Sequence, residues 1–382
     1  MPPSFGFDTA PSRLGTDSNK WNKYAGRDVL PMWVADMDFA SPSTVQQALA
    51  DRVAHGVYGY PDPSAGVAEA VTGWLADTYG WQVDPRWLVW LPGLVCGLNV
   101  VCRAVGEVGS GVVTATPVYP PFMSAPVLSQ RELIPVPMRC EAGEWAWDIP
   151  ALKAAITPTT RLLMLCNPHN PVGRVFRRDE LEALAEIAVA HDLIVCADEI
   201  HCQLILDAHA VHLPFAALSP NLAKRTITLM APSKTYNVPG LGCAFAIVPD
   251  AGLRAKMAGV MRGIVPGVNI FGYVGAEAAY RDRSGWLPAL LDTLRQNRDA
   301  VVAAFADLPQ VKLAHTEATY LAWLDLRASG LDQPAAAFEA GGVGLSDGAD
   351  FGLSGFVRLN FACPPDRLAE GLRRMRAVLA HA

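Results

Sequence analysis

From residue 93 onward, short apolar runs alternate with helical stretches, and few folds accept that rhythm. "GLVCGLNVVCRAVGE" has a helical period, "GVVTATP" and "RELIPVP" read as strands, "IPALKAAI" as a short helix and "RLLMLCNP" as a strand. "RDELEALAEIAVAHD" is an amphipathic helix with the strand "LIVCADE" directly after it, and "RTITLMAP" and "GCAFAIVP" are two more strands. Strands that are apolar throughout are buried on both faces. Their alternation with helices predicts an α/β chain with a mostly parallel sheet covered on each side.

The flanks have a different texture. The first forty residues are rich in Pro, Gly and Trp, show little helical period, and read as an arm that packs on something else. "SPSTVQQALADRVAHG", with Ser41 or Ser43 as cap, and "GVAEAVTGWLADTYG" follow as helices. Beyond residue 283 a long helix leads to "TYLAWLDL", "GVGLSD" and "FVRLNFA", and "PDRLAEGLRRMRAVLA" closes the chain as a helix. The expected division is an arm over 1–48, a large domain over 49–282, and an α+β small domain over 283–382 built with the arm. A length of 382 residues suits two such cores.

Bulk properties narrow the function. A net charge of −6 argues against a general nucleic-acid binder. No apolar run reaches the roughly 18 residues of a membrane span. The N-terminus lacks a charged-then-apolar signal pattern, so a cytoplasmic location is expected. Eight scattered cysteines, with no CxxC pair, read as free and largely buried thiols. "EIHC" and "DAHAVH" lack familiar metal-ligand spacing, and no metal site is expected.

In open α/β sheets ligands bind beyond the carboxyl ends of the strands. Here those ends carry "TPVYPP", "NPHNPVG", "DEIH" and "APSKTYN". Lys234 is one of only seven lysines among 31 basic residues, and it follows a buried-looking strand, where a charge is costly unless used. Asp198 leaves another buried strand and needs a cationic or donor partner, although a helix cap or a local ion pair would also explain it. Asn170 sits on a rigid Asn-Pro turn. Tyr119 is flanked by prolines, suited to stacking on a planar ligand or to simple core packing. The glycine of "LPGLVCGL" precedes a helix whose free N–H groups could take a phosphate, with Ser233 as a second donor. Arg358, inside the strand-like "FVRLNFA", is either an edge arginine or a clamp for a carboxylate. Together these groups ask for a planar, phosphorylated ligand with an electrophilic carbon for the lysine and a ring nitrogen for the acid. Pyridoxal 5′-phosphate meets every demand.

The ordered set of "PG" at 92–93, Tyr119, "NPHNPVG", "DEIH", "SKT" and "RLN" resembles the fold-type-I pyridoxal-phosphate enzymes, the aspartate aminotransferase superfamily. "PMWVADMDF", "YGYP", "NPHNPVGRV" and "FVRLNFA" resemble its cystathionine β-lyase, or C–S lyase, branch. The resemblance implies a large domain with a sheet of the seven-stranded type. It implies that Lys234 is the Schiff-base lysine and proton shuttle, and that Asp198 pairs with the pyridine nitrogen. Asn170 and His201 would approach the ring 3′-oxygen, and Tyr119 would stack on the ring. Ser233 and the backbone of Leu94 and Val95 would hold the phosphate. Arg358 would bind the substrate α-carboxylate, helped by the backbone near Ala35. Tyr60 would reach the phosphate of a neighbouring subunit in a homodimer.

Many aminotransferases of the superfamily carry an arginine eight residues after the lysine. This chain has Gly242 there, which favours a lyase acting on L-cystathionine or a cysteine S-conjugate. Rival readings are an aminotransferase, a secondary-metabolism variant cleaving or decarboxylating a bulky S-conjugate, and a non-catalytic regulatory protein on the same fold. Cys96 and Gly97 depart from the branch motif, and Cys96 reads as a small core thiol.

Overall fold

A computed structural model describes residues 5–141 and 143–381; residues 1–4 of the expected arm lie outside them. The centre is a seven-stranded sheet with the order Leu88–Leu91, Ala244–Ile247, Thr226–Met230, Ile194–Asp198, Thr160–Cys166, Gly111–Thr116 and Glu132–Pro137. The last five are parallel, while Ala244–Ile247 runs antiparallel to both its neighbours. Every residue of Thr226–Met230 is buried, its two threonines included, as expected of a strand covered on both faces.

The chain goes from Gly111–Thr116 to the edge strand Glu132–Pro137 and then returns to the other side, to Thr160–Cys166. That reversal opens a crevice between the carboxyl ends of two neighbouring strands. The segments leaving them meet there: the Tyr119 N–H donates to the Asn170 carbonyl (3.1 Å). His169 bridges the same loops, with Nε2 2.8 Å from the Pro117 carbonyl and Nδ1 3.2 Å from that of Cys166.

A second, antiparallel sheet joins Lys312–Leu313, Leu321–Asp325, Phe356–Asn360 and Ser346–Asp347. The helices Trp286–Phe305 and Pro365–Leu379 share one core with it, and Phe7, Met32, Met37 and Phe39 of the arm enter that core. The arm also pairs directly with the C-terminal segment, Leu30–Pro31 running parallel to Val343–Gly344.

Three local readings change. "GVGLSD" is not one strand: Val343–Gly344 pairs with the arm, and Ser346–Asp347 with Phe356–Asn360. The strand Leu88–Leu91 was not anticipated, since four apolar residues running into a Pro-Gly turn carry no period of their own. The helix Ser43–His55 has Pro42, not a serine, at its cap position. Ser41 instead donates its hydroxyl to the Asn237 carbonyl (3.2 Å). The following helix, Ala65–Tyr79, is conventionally capped: the Ser64 hydroxyl accepts from the Val67 N–H, and left-handed Gly80 ends it.

Candidate active site

A cavity of about 360 Å³ opens at the carboxyl ends of the central strands. It is lined by Lys234, Asp198, Asn170, His201, Tyr119, Ser233, Leu94, Val95, Ala35 and Arg358. Every site residue expected from the sequence is therefore brought together except Tyr60, which is fully exposed on the loop before Ser64.

One end of the cavity suits an anion. Gly93 precedes the helix Leu94–Ala104 and supplies no side-chain cap, so the first-turn N–H groups of Leu94, Val95 and Cys96 face the cavity end without one. Ser233 lines the same space. Gly97 sits where the helix packs closely on the sheet: a Cβ there would lie 3.1 Å from Leu91 Cδ1 and 3.4 Å from Leu229, a tight contact to which the leucines would have to yield. Cys96 departs from the expected core thiol. It is half-buried and lines the cavity, and burial raises its pKa, which keeps it a thiol.

The other end gathers charges that have no ion-pair partner among the described residues. Asp198 is buried, and its Oδ1 accepts from the Ile200 N–H (3.1 Å). Desolvation raises its pKa to about 7; the Ile200 hydrogen bond opposes this, and the charge of Glu199 adds to it. Lys234 Nζ donates to the Ala35 carbonyl (2.5 Å). Desolvation, and then the charge of Arg358, lower its pKa to about 8. His201 is buried with Nδ1 unpartnered; desolvation and the cations Lys234 and Arg358 hold it neutral, with a pKa of about 3.

Arg358 is 4 % exposed in the middle of Phe356–Asn360. It donates to Asn170 Oδ1 (3.0 Å), to the Trp33 carbonyl (2.9 Å) and to the Ser346 hydroxyl (3.3 Å), and stands over the Phe351 ring (4.7 Å). Its Nε has no partner. Desolvation pulls even this group down to about 10. A guanidinium held by neutral groups alone, with a donor left over, is arranged to receive a carboxylate.

These residues fit pyridoxal 5′-phosphate. Uncapped helix N–H groups and Ser233 suit its phosphate, Asp198 suits a ring nitrogen, and the unpartnered His201 Nδ1 and the Asn170 amide suit ring oxygen. A lysine amine of lowered pKa suits its aldehyde.

Sequence reasoning missed several supporting residues. Glu199 is fully buried behind Asp198, paired with His212 Nε2 (3.0 Å) and accepting from the Phe215 N–H (2.8 Å). Its place inside "DEIH" was the available signal, and the same pairing accounts for the last His of "DAHAVH". Gly242 lines the cavity in a left-handed conformation (φ +62°), so the backbone itself favours glycine there. That weakens its value as a pointer toward a lyase.

The aminotransferase class I and II family model matches residues 27–375. Cystathionine beta-lyase PatB of Bacillus subtilis (strain 168) is 39% identical over 386 residues, covering 98% of this chain and 100% of that protein. Among solved structures, OvoB superposes with a TM-score of 0.96 at 44% identity, covering 99% of this chain and 100% of that one. Cystalysin from Treponema denticola, whose crystal structure contains a pyridoxal 5′-phosphate cofactor, gives a TM-score of 0.95 at 30% identity, covering 99% and 100%.

Proposed function

The chain belongs to the aminotransferase class I and II family, and we propose that within it the chain is a pyridoxal-phosphate-dependent carbon–sulfur lyase. Its substrate is an amino acid with sulfur on Cβ, L-cystathionine or a cysteine S-conjugate; its products are a thiol, pyruvate and ammonia. The observation that carries the cofactor chemistry is the trio Asp198, Lys234 and Arg358: two buried ionisable groups and one half-buried, around one cavity, with no ion-pair partner among the described residues; the full-length similarity to a cystathionine beta-lyase favours the lyase outcome.

The bound cofactor supplies a sink for the electron pair left when Cα loses its proton. The chain's own residues do the rest. Leu94, Val95 and Ser233 would hold the cofactor's phosphate, Tyr119 would stack on its ring, Asn170 and His201 would take its ring oxygen, and Asp198 would pair with its ring nitrogen. Arg358, steadied by Asn170 and Trp33, would grip the substrate carboxylate and so fix the orientation of Cα. The Ala35 backbone closes that end. Lys234, with its pKa lowered to about 8, is neutral in a useful fraction near neutral pH and takes the Cα proton. Departure of the thiolate from Cβ follows, and the remaining fragment hydrolyses to pyruvate and ammonia.

The active unit in this reading is a homodimer, with Tyr60 reaching into the neighbouring subunit's site. Its full exposure beside Val57 and Tyr58, both also exposed, supports this. The division into an arm over 1–48, a large domain over 49–282 and a small domain over 283–382 is part of the same proposal. A cytoplasmic location fits the eight free cysteines. Among the described residues no helix is long and apolar enough to cross a membrane.

The family's description favours one second reading, an aminotransferase that uses the same groups and returns the proton to the cofactor. Incubation with L-cystathionine and with S-conjugates of graded size, with and without a keto acid, separates the two. The lyase releases pyruvate without a keto acid. Amino transfer that requires a keto acid, with no pyruvate, selects the aminotransferase.

A further inference from the structure

Between Trp33 and Phe39 the arm offers its carbonyls to side chains from other elements. Trp33 takes Arg358 Nη2 (2.9 Å), while Val34 and Asp36 take Asn360 Nδ2 (2.7 Å each). Met37 and Phe39 take Asn237 Nδ2 (3.0 and 2.7 Å), and Asn237 Oδ1 accepts from the Met37 N–H (3.0 Å). Asn237 stands three residues after Lys234 in a left-handed conformation (φ +54°), a strained state that these three bonds hold in place. The loop carrying the lysine and the strand carrying Arg358 are thus both tied to one stretch of backbone.

At the middle of that stretch the Ala35 carbonyl has two donors. Lys234 Nζ is 2.5 Å away and the Tyr320 hydroxyl 3.0 Å. Tyr320 is fully buried, immediately before the strand Leu321–Asp325, and stands edge-on to His201 (6.2 Å between rings). An oxygen shared by two donors serves each less well. A carbonyl also favours an ammonium over a neutral amine, because the bond is then charge-assisted. A hydroxyl that takes part of the oxygen therefore tips its neighbour toward the neutral amine. The bond that remains still holds that amine in place, with its lone pair free to accept a proton.

We infer that Tyr320 is a positioning residue for Lys234: its hydroxyl fixes the Ala35 carbonyl as the dock for the free lysine amine and withholds part of that acceptor from the ammonium form. The inference rests on Lys234 being the reacting amine. The other charged or titratable groups around that amine are Asp36 on the arm, Asp198 at the end of the strand Ile194–Asp198, His201 just beyond it, and Arg358. Substitution of Tyr320 leaves all four in place.

The test begins with the full-length protein freed of cofactor. Trace acetylation of Lys234, read by mass spectrometry across pH, reports the protonation midpoint of the amine. Tyr320→Phe moves that midpoint upward by about half a pH unit or more. In the loaded enzyme the acidic limb of kcat moves the same way while KM stays put. A folded Tyr320→Phe protein whose midpoint coincides with that of the unsubstituted protein overturns the inference. If that variant does not fold, 3,5-difluorotyrosine at position 320 decides. Its stronger donor lowers the midpoint, and an unmoved midpoint overturns the inference. A shifted midpoint in a protein that never releases pyruvate sinks the lyase reading and leaves the coupling of Tyr320 to Lys234 standing.

Discussion

Two buried constellations in this molecule use the same kinds of charge and end in opposite states. Around Asp38, 2 % exposed, stand Lys20 (3.1 Å), Arg13 (3.3 Å), Arg367 (2.8 Å) and the Trp21 indole N–H (3.2 Å). Desolvation raises the pKa of Asp38, but the two cations Lys20 and Arg367 and the indole together outweigh it and leave it below the usual range. Around the cavity, Asp198 and Arg358 are buried and Lys234 is half-buried beside them, but among the described residues none of the three makes an ion pair. Desolvation then wins in each case, moving the acid to about 7, the amine to about 8 and the guanidinium to about 10. Burial with partners is a structural joint; burial without them is a site waiting for charges supplied by a ligand.

The sharpest way to break this contrast is Lys234→Ala. Pyruvate release should fall by ~10³-fold or more, and the visible absorption of the bound cofactor should change with it. Arg358→Gln comes next. It should cost about 10²-fold in kcat/KM, with KM raised because the carboxylate loses its clamp and kcat lowered because Cα is no longer oriented.

In the other constellation the loss should fall on stability. Lys20→Met leaves Asp38 with one cation fewer in a buried setting and should cost about 3 kcal/mol in denaturant unfolding. If Lys20→Met instead removed activity and spared stability, the contrast would fail.

A smaller effect tests the sign of the buried acid. The folded pKa of Asp198 lies above its unfolded value, so the stability it contributes is complete below about pH 4 and is lost as pH rises through about 7. Lys234 has the depressed case: its contribution is present above its unfolded pKa and is lost as pH falls through about 8. In the cofactor-free protein, Asp198→Asn should therefore melt higher than the unsubstituted protein at pH 8 and alike at pH 4. Asp38→Asn should do the reverse and melt lower at pH 8. Equal shifts for the two substitutions would erase the difference between the constellations.

The parts of the site legible in the sequence were those that sit directly after strands. A buried strand announces itself by its apolar run, and the polar residue that follows is placed at the carboxyl edge by topology alone. Asp198, Lys234, Asn170 and Tyr119 were found that way, and the mostly parallel sheet with them. What stayed hidden depends on long-range register. The strand Leu88–Leu91 has no period to betray it. The Asn237 and Asn360 ties to the arm join residues roughly 200 and 325 positions apart, and nothing local in either sequence marks them. Tyr320 looked like one more apolar strand residue in "TYLAWLDL", yet its hydroxyl shares an acceptor with the lysine. Gly242 was read for the side chain it lacks, and its left-handed backbone gives a second reason for it.

The most direct test is the balance of products from a cysteine S-conjugate supplied without any keto acid. Thiol and pyruvate should appear together in equal amounts, and both should vanish in Lys234→Ala. No thiol or pyruvate until a keto acid is added, or pyruvate release that survives Lys234→Ala, would contradict the assignment of this cavity as a carbon–sulfur lyase site.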